Sequence, residues 1–372
     1  MAHNTQKTKK IYSLLLGAGI LSFLTTIIYF AMGGGKHAGI PFVLTFVTMA
    51  FYSRGSSKLK GTAFTFWVFA FLATAMYFPW LFTNWGFNTM VLVTPLIQLI
   101  MFGMGTKLSI EDFMREFKRP KGVMIGTLMV FSIMPIAGLV IAKSFGFQPE
   151  IAAGVILIGA CPGGVASNVM AFLANGNVAL SVSITAFATL ISPIITPLLM
   201  KIFAGRLIDI PFIGMMLSIM KMIVLPIVAG LIVNKLLRNR KQWLDRILPL
   251  LSMIAILFFV TIVVAHYRDR LLVVGLALIG ASIIHNFFGY ILGYWTSKAI
   301  GLNERDSRTI AIEVGLKNGG MGMGIAIDSL KSADAALAPI IFGKWMNISG
   351  SALANYWRQK PTGNEHKEDN TE

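Results

Sequence analysis

Long apolar runs occupy most of this chain of 372 residues. A helix of about 20 apolar residues crosses the hydrocarbon core of a bilayer. Only 13% of the residues are charged, against about 25% in a typical soluble domain, so the solvent for most of the chain is lipid. The sequence therefore predicts an all-α integral membrane protein. The runs fall at about 11–32, 39–53, 62–82, 89–106, 122–143, 150–174, 178–203, 211–237, 247–266, 271–298, 308–330 and 335–357.

Basic residues are unevenly distributed among the segments that join these runs. If the N-terminus is cytoplasmic and all twelve runs cross the membrane, the inner segments hold 22 Lys and Arg and the outer segments hold 7. Such a bias records orientation, so we expect a multi-pass protein of the plasma (cell inner) membrane, surrounded by membrane lipid, with both termini cytoplasmic. The net charge of +16 does not indicate a nucleic-acid partner, because no basic stripe with interleaved aromatic residues is present.

Two of the runs are interrupted by residues that do not suit a membrane helix. Run 150–174 contains Pro162-Gly163-Gly164, and run 308–330 contains EVGLKNGGMGMG. Each is the fourth of five consecutive runs once the first two runs are set aside. Broken helices in corresponding positions of two halves are typical of inverted-repeat secondary transporters. This order predicts an N-terminal addition with two apolar segments, two five-helix repeats and a polar cytoplasmic tail, over 1–61, 62–203, 204–358 and 359–372.

Polar side chains accumulate next to these breaks. Glu313 is the one acidic residue well inside an apolar run, where a charge costs about 2.5–3.5 kcal/mol on insertion scales. Soon after Ser167 and Asn168, hydroxyl residues recur at the spacing of one helix face: Ser181, Thr185, Thr189, Ser192 and Thr196. Hydroxyl, amide and carboxylate oxygens suit a hard cation such as Na⁺. Two alternatives remain open here: Glu313 could form a packing ion pair with Lys317, and the hydroxyl stripe could serve helix packing alone.

The remaining residues with reactive or ionisable side chains say less about function. His285 is expected to be a hydrogen-bonded helix contact rather than a proton relay, and Cys161 a small packing residue. Lys221 and Lys344 fall within apolar runs, and the sequence assigns them no role. The sequence contains no HExxH, no GxSxG and no pair of intramembrane aspartates, so an enzyme is not expected.

A resemblance to the bile acid:sodium symporter family, in its bacterial form, is carried by four motifs. They are GACPGGVASNVMAFLANGNVALSVSITAFATLISPIITP (159–197), HNFFGYILGY (285–294), IEVGLKN (312–318) and NISGSALANYW (347–357). The resemblance covers 62–358. It implies a panel domain and a core domain, with two discontinuous helices that cross in the core. It also implies Na⁺-driven uptake of organic anions such as bile acids, pantoate and related carboxylates.

The resemblance further implies the residues that bind sodium and substrate. The first sodium site falls on Ser167, Asn168, Ser181, Thr185 and Glu313. A second sodium site usually includes two glutamines, but those positions hold Val130 and Lys317 here. One Na⁺ site is therefore expected, with the Lys317 ammonium paired to Glu313 in the space of the second ion. The residues expected to contact the substrate are Gly164, Val165, Asn318 and Gly319, where Val165 stands in place of a threonine found in bacterial relatives.

The predicted function is thus symport of a small organic anion, of the bile acid or pantoate type, with Na⁺ at a single site by alternating access. Glu313 and Lys317 are the residues expected to carry the coupling. A buried lysine can also exchange a proton during a conformational change. The alternatives are therefore a proton-coupled or Na⁺-independent organic anion transporter, or a cation/proton exchanger.

Overall fold

A computed structural model of the protein describes residues 2–55, 62–107, 120–237 and 242–362, without the side chains of 2–10, 242 and 245. Several basic segments that contributed to the predicted orientation, at 56–61, 108–119 and 238–241, lie outside the described residues, as does the tail from 363. The described part is helical and contains two isolated β-bridges but no β-strand. This agrees with the predicted all-α class.

The chain divides into two compact units. One comprises Met1–Leu96 and Met253–Arg268, and the other comprises Ile97–Ser252 and Asp269–Glu372. In the first unit, α1 packs against α2 and α2 against α3. The helices before residue 107 are α1 (Ala2–Ala31), α2 (Gly39–Gly55), α3 (Ala63–Tyr77), the single turn α4 (Trp80–Thr83), a 3-10 turn (Thr89–Leu92) and α5 (Val93–Gly105).

The remaining helices follow in close succession. They are α6 (Pro120–Ser144), α7 (Pro149–Ala160), α8 (Val165–Leu173), α9 (Val178–Ala204), α10 (Phe212–Ile219), α11 (Leu225–Leu236), α12 (Gln242–His266), α13 (Arg268–Ala299), α14 (Glu304–Gly315), α15 (Gly319–Asp328) and α16 (Ala333–Arg358). A π-turn, Met220–Val224, joins α10 to α11, whose second residue is Pro226. The wider turn fits the missing N–H of that proline.

Each of the twelve predicted runs is largely helical. Among the residues that the structure describes, six helical segments are long and apolar enough to cross a bilayer, so this is a multi-pass membrane protein. The full count of twelve spans stays a prediction. The six are Ile11–Ala31, Pro120–Ser144, Val178–Ala204, Phe212–Leu236, Arg246–His266 and Arg268–Ala299.

Both predicted helix breaks are present. The first separates α7 from α8 at 161–164, and the second separates α14 from α15 at 316–318. Pro162 has no N–H with which to continue the first helix. At the second break, the Asn318 side chain accepts a hydrogen bond from Met321 N and so starts α15 as a new helix.

Candidate functional site

The two breaks hydrogen-bond to each other. Gly164 N donates to Leu316 O (3.1 Å), and Asn318 N donates to Pro162 O (2.9 Å). Gly163 and Lys317 form an isolated antiparallel bridge between these two bonds. Hydrocarbon contains no water for backbone groups freed by a helix break, and each unsatisfied group costs several kcal/mol. Each break therefore supplies hydrogen-bond partners for backbone groups of the other break, at the point where the two helices cross.

Small residues allow this close approach. A Cβ atom at Gly163 would lie 2.6 Å from Glu313 Oε2 and 3.5 Å from Thr185 Oγ1. A Cβ atom at Gly319 would lie 3.1 Å from both Gly343 Cα and Pro339 O. The first distance is shorter than real Cβ contacts, so glycine at 163 brings the backbone directly against the Glu313 carboxylate.

The five residues predicted for the sodium site are brought together from α8, α9 and α14. Glu313 is fully buried, and its carboxylate accepts hydrogen bonds from Ser181 Oγ (2.5 Å) and Thr185 Oγ1 (2.8 Å). Asn168 Oδ1 lies 2.8 Å from Ser181 Oγ and 3.4 Å from Thr185 Oγ1. Ser167 Oγ lies 3.3 Å from Thr185 Oγ1. These five residues form what we call the Glu313 cluster.

The Glu313 cluster has fewer hydroxyl protons than oxygen atoms that could accept them. Each hydroxyl carries one proton. Ser181 has both a carboxylate oxygen and the Asn168 amide oxygen within reach, and it can donate to only one of them. Ser167 donates to Gly164 O at 2.6 Å. A buried carboxylate is stabilised by a nearby positive charge, and here it lies among oxygen atoms that have no proton to accept. These oxygen atoms are suitable ligands for a monovalent hard cation.

Lys317 takes a different position from the one expected. Its Nζ donates to two backbone carbonyl oxygens, Val130 O on α6 (2.6 Å) and Cys161 O in the first break (3.1 Å). No ion pair joins Lys317 to Glu313 in the described part of the chain, so the predicted pairing is wrong. The end of α7 leaves the Cys161 carbonyl without a helical partner, and this strong acceptor draws the ammonium toward the break. The side chain is only 5% exposed.

The residues predicted to contact substrate lie at or beside the crossing. Gly164 is buried in the first break, whereas Val165, in the first turn of α8, is 41% exposed. Asn318 is 8% exposed, and its side-chain oxygen is committed to capping α15. Its amide nitrogen is therefore the group that a ligand could engage. Gly319 begins α15 directly behind it.

Sequence reasoning placed Thr196 in the hydroxyl stripe, but it did not identify the role of Thr196 and Asn286 in supporting the two breaks. Thr196 Oγ1 donates to Ala160 O, at the end of α7, and Asn286 Nδ2 donates to Gly315 O, at the end of α14; both distances are 2.9 Å. Asn286 falls within HNFFGYILGY, one of the four motifs that carry the family resemblance. Its neighbour His285 lies with Nε2 2.9 Å from Met134 O, which fits the predicted helix contact.

Comparisons with known proteins add evidence that is independent of this geometry. The model of a family described as the Sodium Bile acid symporter family matches residues 94–275. The chain is 40% identical over 307 residues to the uncharacterized sodium-dependent transporter YocS of Bacillus subtilis, covering 82% of this chain and 94% of that one. It is 32% identical over 302 residues to a probable sodium/metabolite cotransporter of chloroplasts, BASS1 of Arabidopsis thaliana, covering 80% and 74% of the two chains. It is also 32% identical over 232 residues to the ileal sodium/bile acid cotransporter of Homo sapiens, covering 61% and 66%.

Proposed function

Because the chain belongs to the sodium bile acid symporter family, we propose that it takes up a small organic anion together with Na⁺ as a secondary active transporter. The relatives are named as sodium-dependent transporters and as cotransporters of bile acid or metabolites, which supports both sodium coupling and an organic substrate. We place the protein in the plasma (cell inner) membrane with both termini cytoplasmic. Transport proceeds by alternating access between a core and a panel domain related by inverted repeats over 62–203 and 204–358.

The observation that carries this proposal is the Glu313 cluster. One Na⁺ binds among Ser167, Asn168, Ser181, Thr185 and Glu313, and the single negative charge of the carboxylate balances the ion. The ligands come from α8 and α14, which belong to different broken helices, and from α9. Sodium binding therefore draws the two broken helices together at their crossing. This gives the ion a direct mechanical effect on the place where the substrate binds.

Lys317 takes the place of a second sodium ion in this proposal. Its ammonium is held by Val130 O and Cys161 O, and carbonyl oxygens of this kind are also natural ligands of Na⁺. One Na⁺ and one monoanion move no net charge, whereas a second Na⁺ would add about 2.3 kcal/mol of driving force per 100 mV. A fixed ammonium fits the two hydrogen bonds that Lys317 Nζ donates better than the alternative in which Lys317 releases a proton in each cycle.

The substrate binds beside the crossing, at Gly164, Val165, Asn318 and Gly319. Helices α8 and α15 both begin here, at Val165 and Gly319. A helix N-terminus carries a partial positive charge, and two that start at one point favour an anion. The backbone thus contributes to anion selection without any charged side chain.

Sodium binding can be tested without knowledge of the substrate. The purified full-length protein is heated in NaCl and in KCl of equal ionic strength, and the unfolding midpoint is recorded. We expect Na⁺ to stabilise the wild type but not Glu313→Gln, and to stabilise Thr185→Val only weakly. The matched control is Thr189→Val, one turn further along α9, because that hydroxyl donates only to Thr185 O within its own helix. Equal midpoints of the wild type in both salts, or an undiminished sodium response in Glu313→Gln, would overturn the proposal.

A further inference from the structure

Lys344 places a second positive charge at the middle of a helix close to the crossing. It lies 11 residues from the start of α16 and 14 from its end, which is about 16 Å and 21 Å along the axis. Either distance is far longer than a lysine side chain, so its ammonium cannot reach the membrane surface by extending along the helix. Within the described residues, Lys344 forms neither an ion pair nor a hydrogen bond, although it is partly buried.

The helix α16 has three distinct faces. One packs on the second break: Gly343 meets Gly319, Met346 Sδ accepts from Lys317 N (3.4 Å), and Gly350 meets the Leu316 side chain. A second is apolar and includes Ile341, Trp345, Ile348 and Ala352. A third, between them, is polar and at least partly exposed along its whole length. It consists of Lys344, Asn347, Ser351 and Asn355, spaced as one helix stripe.

A polar stripe on a membrane helix does not face lipid. Intramembrane polar and charged residues almost always face a bundle interior or a water-filled space. The stripe starts at the level of the crossing, because Gly343 contacts Gly319 one residue before Lys344. It runs to the end where Arg358 O accepts a hydrogen bond from Asn175, just beyond α8. The stripe therefore follows a path from one membrane surface to the crossing, and Lys344 lies at its inner end.

The other two lysines within predicted runs, Lys317 and Lys221, are less suited than Lys344 to bind a ligand at the crossing. The ammonium of Lys317 is already occupied by two carbonyl oxygens. Lys221 is exposed and, in the described part of the chain, also lacks a side-chain partner, but it lies in the π-turn between α10 and α11. Its neighbour Met222 meets Gly324, which is about 8 Å along α15 from Gly319. Lys344 is thus the unoccupied ammonium next to the crossing.

We propose that Lys344 binds the carboxylate of the transported anion. This inference rests on the proposed function and names the charge partner of its substrate. A full charge on the protein discriminates a carboxylate from an uncharged analogue of the same shape, which helix dipoles alone do weakly. The apolar surface for the rest of the molecule is supplied by α8, where Val165 and Val169 are 41% and 54% exposed.

Ligand-dependent thermal unfolding of the full-length protein in NaCl tests this proposal. The probes are cholate and pantoate, each compared with its uncharged primary amide. Titration of the unfolding midpoint gives an apparent dissociation constant for each probe. We expect the wild type to bind at least one carboxylate more tightly than its amide. In Lys344→Gln, carboxylate affinity should fall by about tenfold or more while amide affinity stays unchanged.

Two control variants accompany Lys344→Gln in this test. Lys221→Gln should behave as the wild type, and Lys344→Arg should retain the preference for the carboxylate. All Lys344 and Lys221 variants should keep a higher unfolding midpoint in NaCl than in KCl, because this difference reports an intact Glu313 cluster. A retained carboxylate preference in Lys344→Gln, or its loss in Lys221→Gln, would overturn the role of Lys344, as would a wild type that prefers neither carboxylate. If the wild type shows no response to sodium, the proposed function fails instead.

Discussion

Thr196 donates a hydrogen bond of 2.9 Å to the carbonyl oxygen of Ala160, the last residue of α7. On the other broken helix, Asn286 does the same for Gly315, the last residue of α14. At each break, the last carbonyl of the first helical segment therefore accepts a hydrogen bond from a side chain of an unbroken neighbour, α9 or α13. The crossing depends on these supports as well as on the hydrogen bonds between the breaks.

Thr196→Val should destabilise the protein by about 1 kcal/mol or more, because the Ala160 carbonyl loses its partner in a buried place. Ser192→Ala, one turn earlier on α9, should cost less, since the Ser192 hydroxyl donates to Thr189 O within its own helix. The unfolding midpoints of both variants in detergent measure the difference. The sodium response of Thr196→Val should persist, because Thr196 takes no part in the Glu313 cluster. Equal midpoints for the two variants would contradict the supporting role of Thr196.

Gly163→Ala should abolish the stabilisation by sodium. The added Cβ atom would lie 2.6 Å from Glu313 Oε2, so the carboxylate has to move away from the hydroxyls that surround it. The control is Gly214→Ala on α10, where the added Cβ has only an ordinary contact of 3.6 Å, with Pro211 Cβ. Unfolding in NaCl and KCl distinguishes the two variants. A full sodium response in Gly163→Ala would show that the carboxylate position does not matter for the ion.

Arg308 anchors the end of the chain that the structure describes. It is 2% exposed, its Nε pairs with Glu304 Oε1 (2.9 Å), and its other nitrogens donate to backbone carbonyls of Trp357 (3.0 Å) and Pro361 (2.9 Å). Arg308→Gln should lower stability by about 1–3 kcal/mol, because the carbonyls of Trp357 and Pro361 lose charged donors, whereas Glu304 keeps its contact with Lys298. Arg305→Gln, three residues earlier and exposed, should have little effect. Comparable unfolding midpoints for the two variants would rule out this anchoring role.

The sequence predicted the positions of both breaks and the members of the Glu313 cluster, and the physical reasons are local. Proline and adjacent glycines interrupt a helix wherever they occur, and a lone carboxylate in an apolar run needs oxygen-rich or cationic neighbours. The spacing of Ser181 and Thr185 put both hydroxyls on one face of α9, where they meet Glu313. That the cluster binds Na⁺ remains a proposal.

The contacts of Lys317 and Thr196 could not be predicted in the same way. Lys317 binds Val130 O and Cys161 O, and Thr196 binds Ala160 O. Every acceptor here is a backbone carbonyl, and all residues carry one. Only the fold determines which of these carbonyls lie within reach. For Lys317, proximity to Glu313 in sequence indicated an ion pair, whereas the fold brings two backbone carbonyls, Val130 O on α6 and Cys161 O after α7, within reach of its ammonium.

Lys317→Gln should convert the protein from an electroneutral to an electrogenic transporter. The substitution removes the ammonium and supplies an amide oxygen beside two carbonyl oxygens, Val130 O and Cys161 O, which can then bind a second Na⁺. Uptake of cholate or pantoate should become steeper in Na⁺ concentration. A membrane potential, imposed on proteoliposomes with a potassium ionophore, should then contribute about 2.3 kcal/mol per 100 mV. Lys317→Met is the matched control, because it removes the charge without supplying an oxygen. If the wild type already responds to the potential as strongly as Lys317→Gln, the ammonium does not replace an ion.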